Sequence, residues 1–269
     1  MTCVQSGESR QLVRAETRAA ADSPKFTIIT SCSNHSRTIE DCVASVAGQS
    51  LNEVEHIIVD LQSSDDSLDR ILPHQERLRI LNGRAGDTRF QAWNRGIRHA
   101  TGDVLGFIDG ADVLANPDVL KNIARALQDP WISAAYGDVL SVDAHDVRQV
   151  RRRHHVGPHS SKKLSRGWVP PTNALFVRKS WYRRIDGFSN QMKSAAGYDA
   201  SLRLFSHPFF KATYVGEPVI RQRLVAPNMP KLHEFLSRTG EELRALRAAQ
   251  INGYQALAWQ SLRKIGQWL

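Results

Sequence analysis

Between residues 26 and 139, short β-branched or apolar runs alternate with stretches whose apolar residues recur at helical spacing. Residues 26–30, 56–60, 78–81, 104–109 and 134–139 read as strands. Between them, Ile39, Cys42, Val43 and Val46 form one helical face, with Ser36 as candidate cap and Gly48 as stop. Leu68, Ile71 and Leu72 suggest a helix ended by Pro73, and Phe90, Trp93, Asn94 and Ile97 share a third face. Pro117 starts a helix striped by Val119, Leu120, Ile123 and Leu127. Strand–helix alternation predicts an α/β fold, a Rossmann-like, mostly parallel central sheet flanked by helices, with its site at the strand C-termini.

The second half is less regular. Pro170-Pro171 precedes a strand at 174–177, a helix spans 198–205 before Pro208, and 212–215 and 219–222 read as two late strands. From Pro230 the pattern turns helical. Tyr254, Ala258, Leu262, Ile265 and Leu269 make one stripe, with Arg263, Lys264, Trp259 and Trp268 nearby. That stripe suits either packing on the domain or an anionic membrane surface. The polar start, 1–24, reads as a disordered leader. Residues 25–226 then form the domain and 227–269 a C-terminal helical tail.

The chain of 269 residues has room for one large α/β domain, and its apolar share supports a core. No run approaches the ~20 apolar residues of a membrane span. Cys3, Cys32 and Cys42 lack metal or disulfide-framework spacing, which points to a reduced, cytoplasmic protein. A net charge of +9 suits polyanionic partners, and its bases crowd between Arg148 and Arg184. That segment reads by default as a solvated loop with a basic face. Nothing resembles a helix-turn-helix, an RNA-binding sheet motif or a zinc finger, so no nucleic-acid partner is expected.

The candidate chemistry lies where two strands end. Residues 104–109 finish in Asp109, with Asp112 just beyond, and 56–60 finish in Asp60. Neither strand leads into a glycine-rich phosphate loop, so phosphate would need a metal or basic side chains. Carboxylates there can hold a divalent cation, and the cation a diphosphate. The same acids could equally be turn or cap residues before the Pro117 helix.

Several segments in order resemble glycosyltransferase family 2. They are Ile28-Ile29-Thr30 with Asn34; Ile57-Ile58-Val59-Asp60 with Ser63-Ser64-Asp65; Ala92-Trp93-Asn94-Arg95-Gly96-Ile97 followed by Ala100-Thr101-Gly102-Asp103; Tyr136-Gly137-Asp138; and Ile185-Asp186-Gly187-Phe188. The resemblance implies a GT-A fold, a nucleotide-sugar donor, Mg²⁺ or Mn²⁺, and inversion at the anomeric carbon. It places Asp60 at the base or ribose, with Thr30, Ser31 and Asn34 alongside. Asp109 falls beside ribose and diphosphate, and Asp112 on the metal. Bacterial relatives often build cell-surface polysaccharides or glycolipids. This implies a glycan or lipid-linked acceptor, with peripheral contact between the 151–155 segment and an anionic membrane.

The chain departs from the family pattern at four places. An acid commonly found before the metal aspartate is Ala111, and another on the preceding helix is Gln91. The Gly-Gly-Phe-Asp landmark is Asp186-Gly187-Phe188-Ser189, and the position of the acceptor-activating base is Gly197. Asp199 is the nearest replacement base, or else a first-turn acid stabilised by the helix dipole; His159, Asp186 and His207 are further titratable candidates. The alternative function is a GT-A module that has lost its base and binds a nucleotide or an assembly partner.

Overall fold

The structure, a computed structural model, describes residues 24–224 and 232–251. The leader and the stripe beyond Tyr254 lie outside the described residues.

The first half alternates as expected: β1 (Phe26–Cys32), α1 (Ile39–Ala47), β2 (Val54–Asp60), α2 (Ser67–Ile71), β3 (Leu78–Asn82), α3 (Arg89–His99) and β4 (Val104–Asp109). The strands lie side by side as β3-β2-β1-β4, all parallel. β1 is buried at every position, which is why it reads as an unbroken run. Side-chain alternation divides the core between the two sheet faces. Ile28, Ile58 and Ile108 pack with α1 on one, and Ile29, Val59 and Phe107 with α3 on the other.

The second half is β5 (Val113–Leu114), α4 (Val119–Ala126), β6 (Ala134–Val142), β7 (Val150–His154), α5 (Ser161–Leu164), β8 (Leu175–Arg178), α6 (Lys179–Arg184), α7 (Ala196–Phe205), β9 (Ala212–Arg223) and α8 (Leu232–Ala248). These strands extend the sheet as β4-β8-β6-β9-β5, with β7 on β6. Only β6 and β9 pair in parallel among the newly added neighbours.

Several boundaries differ from the sequence reading. The first helix is entered at Thr38, not Ser36, whose amide donates to Asp65 in the preceding turn. The helix over 67–71 stops just before Pro73, as expected, and the chain continues into a 3₁₀ turn from Leu72 in which the missing N–H of Pro73 costs nothing. Pro117 lies just outside α4, which begins after Asp118. The two late strands are one, bent at Gly216 with φ of 75° and a shifted register against β6. The basic segment contains a strand: β7 pairs antiparallel with β6 through residues 150–154.

Phe188 is the pin that locks the second half onto the first. It packs edge-on to Phe107 at 5.1 Å and beside Trp93 at 5.5 Å. Asn94 fixes it by exchanging two backbone hydrogen bonds, at 2.7 and 2.9 Å. Gly187, with φ of 65°, leaves the space that Asn94 Oδ1 fills, 2.4 Å from where a Cβ would stand.

Candidate functional site

The parallel register brings the two carboxylates to either side of β1. Cys32 lies opposite Asp60 and Ser31 opposite Asp109. Asp60 is buried and clamped by Ser63, whose Oγ donates at 2.6 Å and whose amide donates at 3.1 Å. Ser63 Oγ also accepts the Asn34 amide at 3.0 Å, and Asn34 Oδ1 accepts the Ser64 amide at 2.8 Å. Asn34 is able to do this because it adopts a left-handed conformation, φ 56°. The loops after β1 and β2 are thus laced into one floor. Asp65 reinforces it by accepting from Ser36 and Ser67, and the Ser67 hydroxyl bond holds its carboxyl well below the usual range.

Asp109 is mostly buried and surrounded by donors. His35 Nε2 lies 3.0 Å from Oδ1, Ser31 Oγ donates to Oδ2 at 3.3 Å, and Arg89 Nη1 stands 3.9 Å away. Burial alone would raise its pKa; the hydrogen bond from His35 and the charges of His35 and Arg89 outweigh it and hold Asp109 ionised. The Ser33 amide lies 2.9 Å from His35 Nδ1, which orients the ring so that Nε2 faces Asp109. Gly110 makes this possible, since a Cβ there would sit 2.9 Å from the imidazole.

Asp112 is the other kind of carboxylate. It is 4% exposed, and its side-chain donor is Asn173 Nδ2 at 3.2 Å. Burial first, then the neighbouring Asp109 charge, push it up to about 7. A cation beside it would relieve both effects. Asn173 lies in the Thr172–Ala174 3₁₀ turn, and its neighbour Thr172 presses on Gly197. A Cβ at Gly197 would lie 2.6 Å from Thr172 Oγ1 and 2.8 Å from Phe90. The usual base position is therefore filled by neighbouring atoms as well as lacking a side chain.

Two expected site residues face elsewhere. Thr30 is fully buried, its hydroxyl 2.8 Å from His56 Nε2 on the core side of the sheet. Its place in β1 sends the side chain to the face opposite Ser31. Asp199 is 5% exposed, and its Oδ2 is held by Arg203 Nε and Nη2 at 2.9 and 2.7 Å. Arg203 also donates to the carbonyls of Ile185 and Gly187, so the pair ties α7 to the Phe188 turn. This is structural work by a residue expected as the replacement base. Gln91, at a position where relatives commonly carry an acid, closes a capping box with Thr88 at the start of α3.

Three contributors escaped the sequence reading: His35, Arg89 and Asn173. Arg89 and Asn173 reach the site from α3 and from the turn before β8, and no local spacing announces that. Among the described residues, no group of three or more His, Cys, Asp or Glu side chains gathers to hold a metal.

The chain is similar to known proteins in sequence and in fold. Residues 27–196 match the sequence model described as Glycosyl transferase family 2. The chain belongs to that family. It is 28% identical over 190 residues to the O-antigen biosynthesis protein RfbC of Myxococcus xanthus, covering 69% of this chain but only 14% of RfbC. It is 26% identical over 196 residues to a PGL/p-HBAD biosynthesis glycosyltransferase of Mycobacterium tuberculosis, covering 71% of this chain and 74% of that one. Among solved structures, residues 1–349 of S. aureus TarS superpose with a TM-score of 0.64 at 15% identity, covering 86% of this chain and 68% of TarS. The same TarS fragment is known in complex with UDP-GlcNAc. The mannosyltransferase PcManGT of Pyrobaculum calidifontis, in complex with GDP-Man and Mn²⁺, gives 0.59 at 18% identity over 88% of this chain and 71% of its own. The fold is GT-A, and the protein is a glycosyltransferase. No helix among the described residues is long and apolar enough to cross a membrane.

Proposed function

We propose that the crevice binds a nucleotide sugar and that the enzyme transfers the sugar, with inversion, to a glycan or lipid-linked acceptor of the cell surface. The observation that carries this reading is the placement of Asp60 and Asp109 on either side of β1, with Asp112 one turn beyond. Asp60, held by Ser63, accepts from the nucleoside. Ser31 and Asn34 form the adjoining floor. Asp109, kept ionised by His35, faces the ribose and diphosphate, and the half-exposed Arg89 adds positive charge beside it. The RfbC and PGL relatives, by their names, point to surface polysaccharide or glycolipid synthesis.

Asp112 fits a divalent cation, Mg²⁺ or Mn²⁺. Its carboxylate is buried, destabilised by Asp109, and met by a single side-chain donor. One or two protein carboxylates suffice where substrate phosphates and water complete the shell. When bound, the cation would neutralise charge on the departing diphosphate. Asn173 orients Asp112 from the acceptor side of the crevice. The reaction takes place on the cytoplasmic side, with peripheral contact to the membrane. A thermal-shift panel of nucleoside diphosphates and nucleotide sugars, with and without Mn²⁺, tests the reading. Metal-dependent stabilisation by one nucleotide is expected; no shift from any of them argues against a donor site here.

A further inference from the structure

The two most exposed large apolar side chains among the described residues are Trp131, at 76%, and Phe209, at 73%. They belong to one end of the sheet. Ser133, just before β6, donates its amide to the Lys211 carbonyl at 2.8 Å, and β6 pairs in parallel with β9 from Ala134 and Ala212 onward. Each aromatic stands two residues ahead of that bond, Trp131 in the turn from α4 to β6 and Phe209 in the turn from α7 to β9. β6 runs antiparallel to β8, and β8 antiparallel to β4, so β6 shares the direction of β4. Both turns therefore lie at the strand-entry pole. The length of β4, roughly 20 Å, separates that pole from the carboxylates at the strand ends.

Local bonds hold the two turns in shape. The residue after each aromatic turns inward: Phe210 is buried, and Ile132 packs against the core. The Trp131 amide donates to Asp129 Oδ1 at 2.8 Å, and the Phe209 amide to His207 Nδ1 at 3.2 Å. Arg178 braces the first turn by donating to the carbonyls of Leu127 and Ile132, both at 2.8 Å. A proline precedes each aromatic, Pro130 and Pro208, and fixes one backbone angle there.

Positive charge accompanies the rings. Arg183, which is exposed, lines with Pro130 a cavity of about 810 Å³ beside the first turn. Arg184 lies 5.1 Å over the Trp181 ring, and Trp181 packs edge-on to Phe210 at 5.0 Å in the second turn. Lys211 is exposed just before β9. The acids nearby, Asp103 and Asp129, each accept a backbone amide, from Lys25 and from Trp131. Arg183, Arg184 and Lys211 outnumber them.

We propose that this pole docks on a membrane carrying anionic lipid. Trp131 and Phe209 enter the headgroup layer, and Arg183, Arg184 and Lys211 face the lipid phosphates. Exposed aromatic side chains with basic neighbours suit that interface, where rings meet the acyl boundary and cations meet anionic headgroups. Like charges disfavour a second copy on the same face. Docking here rests on the peripheral membrane contact of the reading above, and it moves that contact away from the 151–155 segment, which lies along the far half of β6. The crevice then opens away from the bilayer.

Co-sedimentation of the full chain with phosphatidylglycerol vesicles and with phosphatidylcholine vesicles tests this. Wild type is expected to bind the first at least about 10-fold more tightly, and added salt should weaken that binding. Trp131→Ser/Phe209→Ser and, separately, Arg183→Glu/Lys211→Glu are each expected to bind phosphatidylglycerol at least about 10-fold more weakly. All four side chains are exposed, so both variants should fold, and an unchanged melting temperature confirms it. Arg151→Glu/Arg152→Glu should lose less than about threefold, because its charges lie outside the docking face. No vesicle binding by wild type, or loss in Arg151→Glu/Arg152→Glu alone, overturns the proposal. So does self-association that Trp131→Ser/Phe209→Ser abolishes without any vesicle binding, which would make the pole a protein interface. The nucleotide thermal-shift panel reads the donor site separately, so either reading can fail alone.

Discussion

Arg203 reaches back one helical turn and donates through Nε and Nη2 to a single oxygen of Asp199, at 2.9 and 2.7 Å. The same guanidinium caps the carbonyls of Ile185 and Gly187. Asp199 therefore holds the second half of the domain together. Asp199→Asn is expected to cost about 2 kcal/mol in urea unfolding, the scale of a hydrogen bond to a charged group. Nucleotide affinity of the folded variant should stay within about twofold, a change of less than 0.5 kcal/mol. Loss of turnover at unchanged stability would instead make Asp199 a catalytic acid or base.

Gly197 gives the complementary case. Thr172 Oγ1 and Phe90 stand where its side chain would begin. Gly197→Asp places a carboxylate at the usual base position, yet it should lower stability by about 1–3 kcal/mol through overpacking and leave activity no higher. Thermal unfolding and a transfer assay read both. A gain in rate with unchanged stability would show that the position is open after all.

His56 sets an acid limit on the fold. It is 4% exposed in β2, beside Thr30 of β1, and burial pushes its pKa from 6.5 down to about 3. Below 6.5 the unfolded chain takes up the proton and the folded protein does not. Stability is therefore complete above that pH and declines as pH falls toward 3, approaching about 1.4 kcal/mol per pH unit for this group. Replacing it, as in His56→Gln, should flatten the difference between urea midpoints at about pH 7 and about pH 5. An unchanged slope would mean that other groups govern it.

Ser63 positions Asp60 through two hydrogen bonds. Ser63→Ala removes the shorter one and lets the carboxylate rotate. Nucleotide affinity should fall about fivefold, near 1 kcal/mol, with little change in melting temperature. Calorimetry with the nucleotide found in the thermal-shift panel measures it. A fall in stability alone would make the Ser63 contact a fold contact only.

The parallel half was legible because burial on both faces turns each strand into an apolar run and each helix into a stripe. β7 was not, since Val150-Arg151-Arg152-Arg153-His154 is held by its backbone ladder to β6 and by ion pairs such as Arg151 with Asp143. The segments 212–215 and 219–222 read as two strands because Gly216, Glu217 and Pro218 interrupt the apolar pattern, although the chain only bends there. At the site, Asp60, Asp109 and Asp112 were visible as acids ending apolar runs. Thr30 misled because two sides of one strand differ by a single position. His35, Arg89 and Asn173 depend on tertiary approach. Gly197 could be seen as a missing base, but the atoms filling its place could not.

The central claim is that Asp112 holds the cation that anchors a nucleotide diphosphate. The most direct measurement is calorimetric binding of the stabilising nucleotide, with and without Mn²⁺, to wild type and to Asp112→Asn. Wild type should bind at least about 10-fold more tightly with Mn²⁺, a difference near 1.4 kcal/mol. Asp112→Asn, which keeps shape and removes charge, should lose that difference while keeping the metal-free affinity. Equal Mn²⁺ dependence in both proteins would contradict the account.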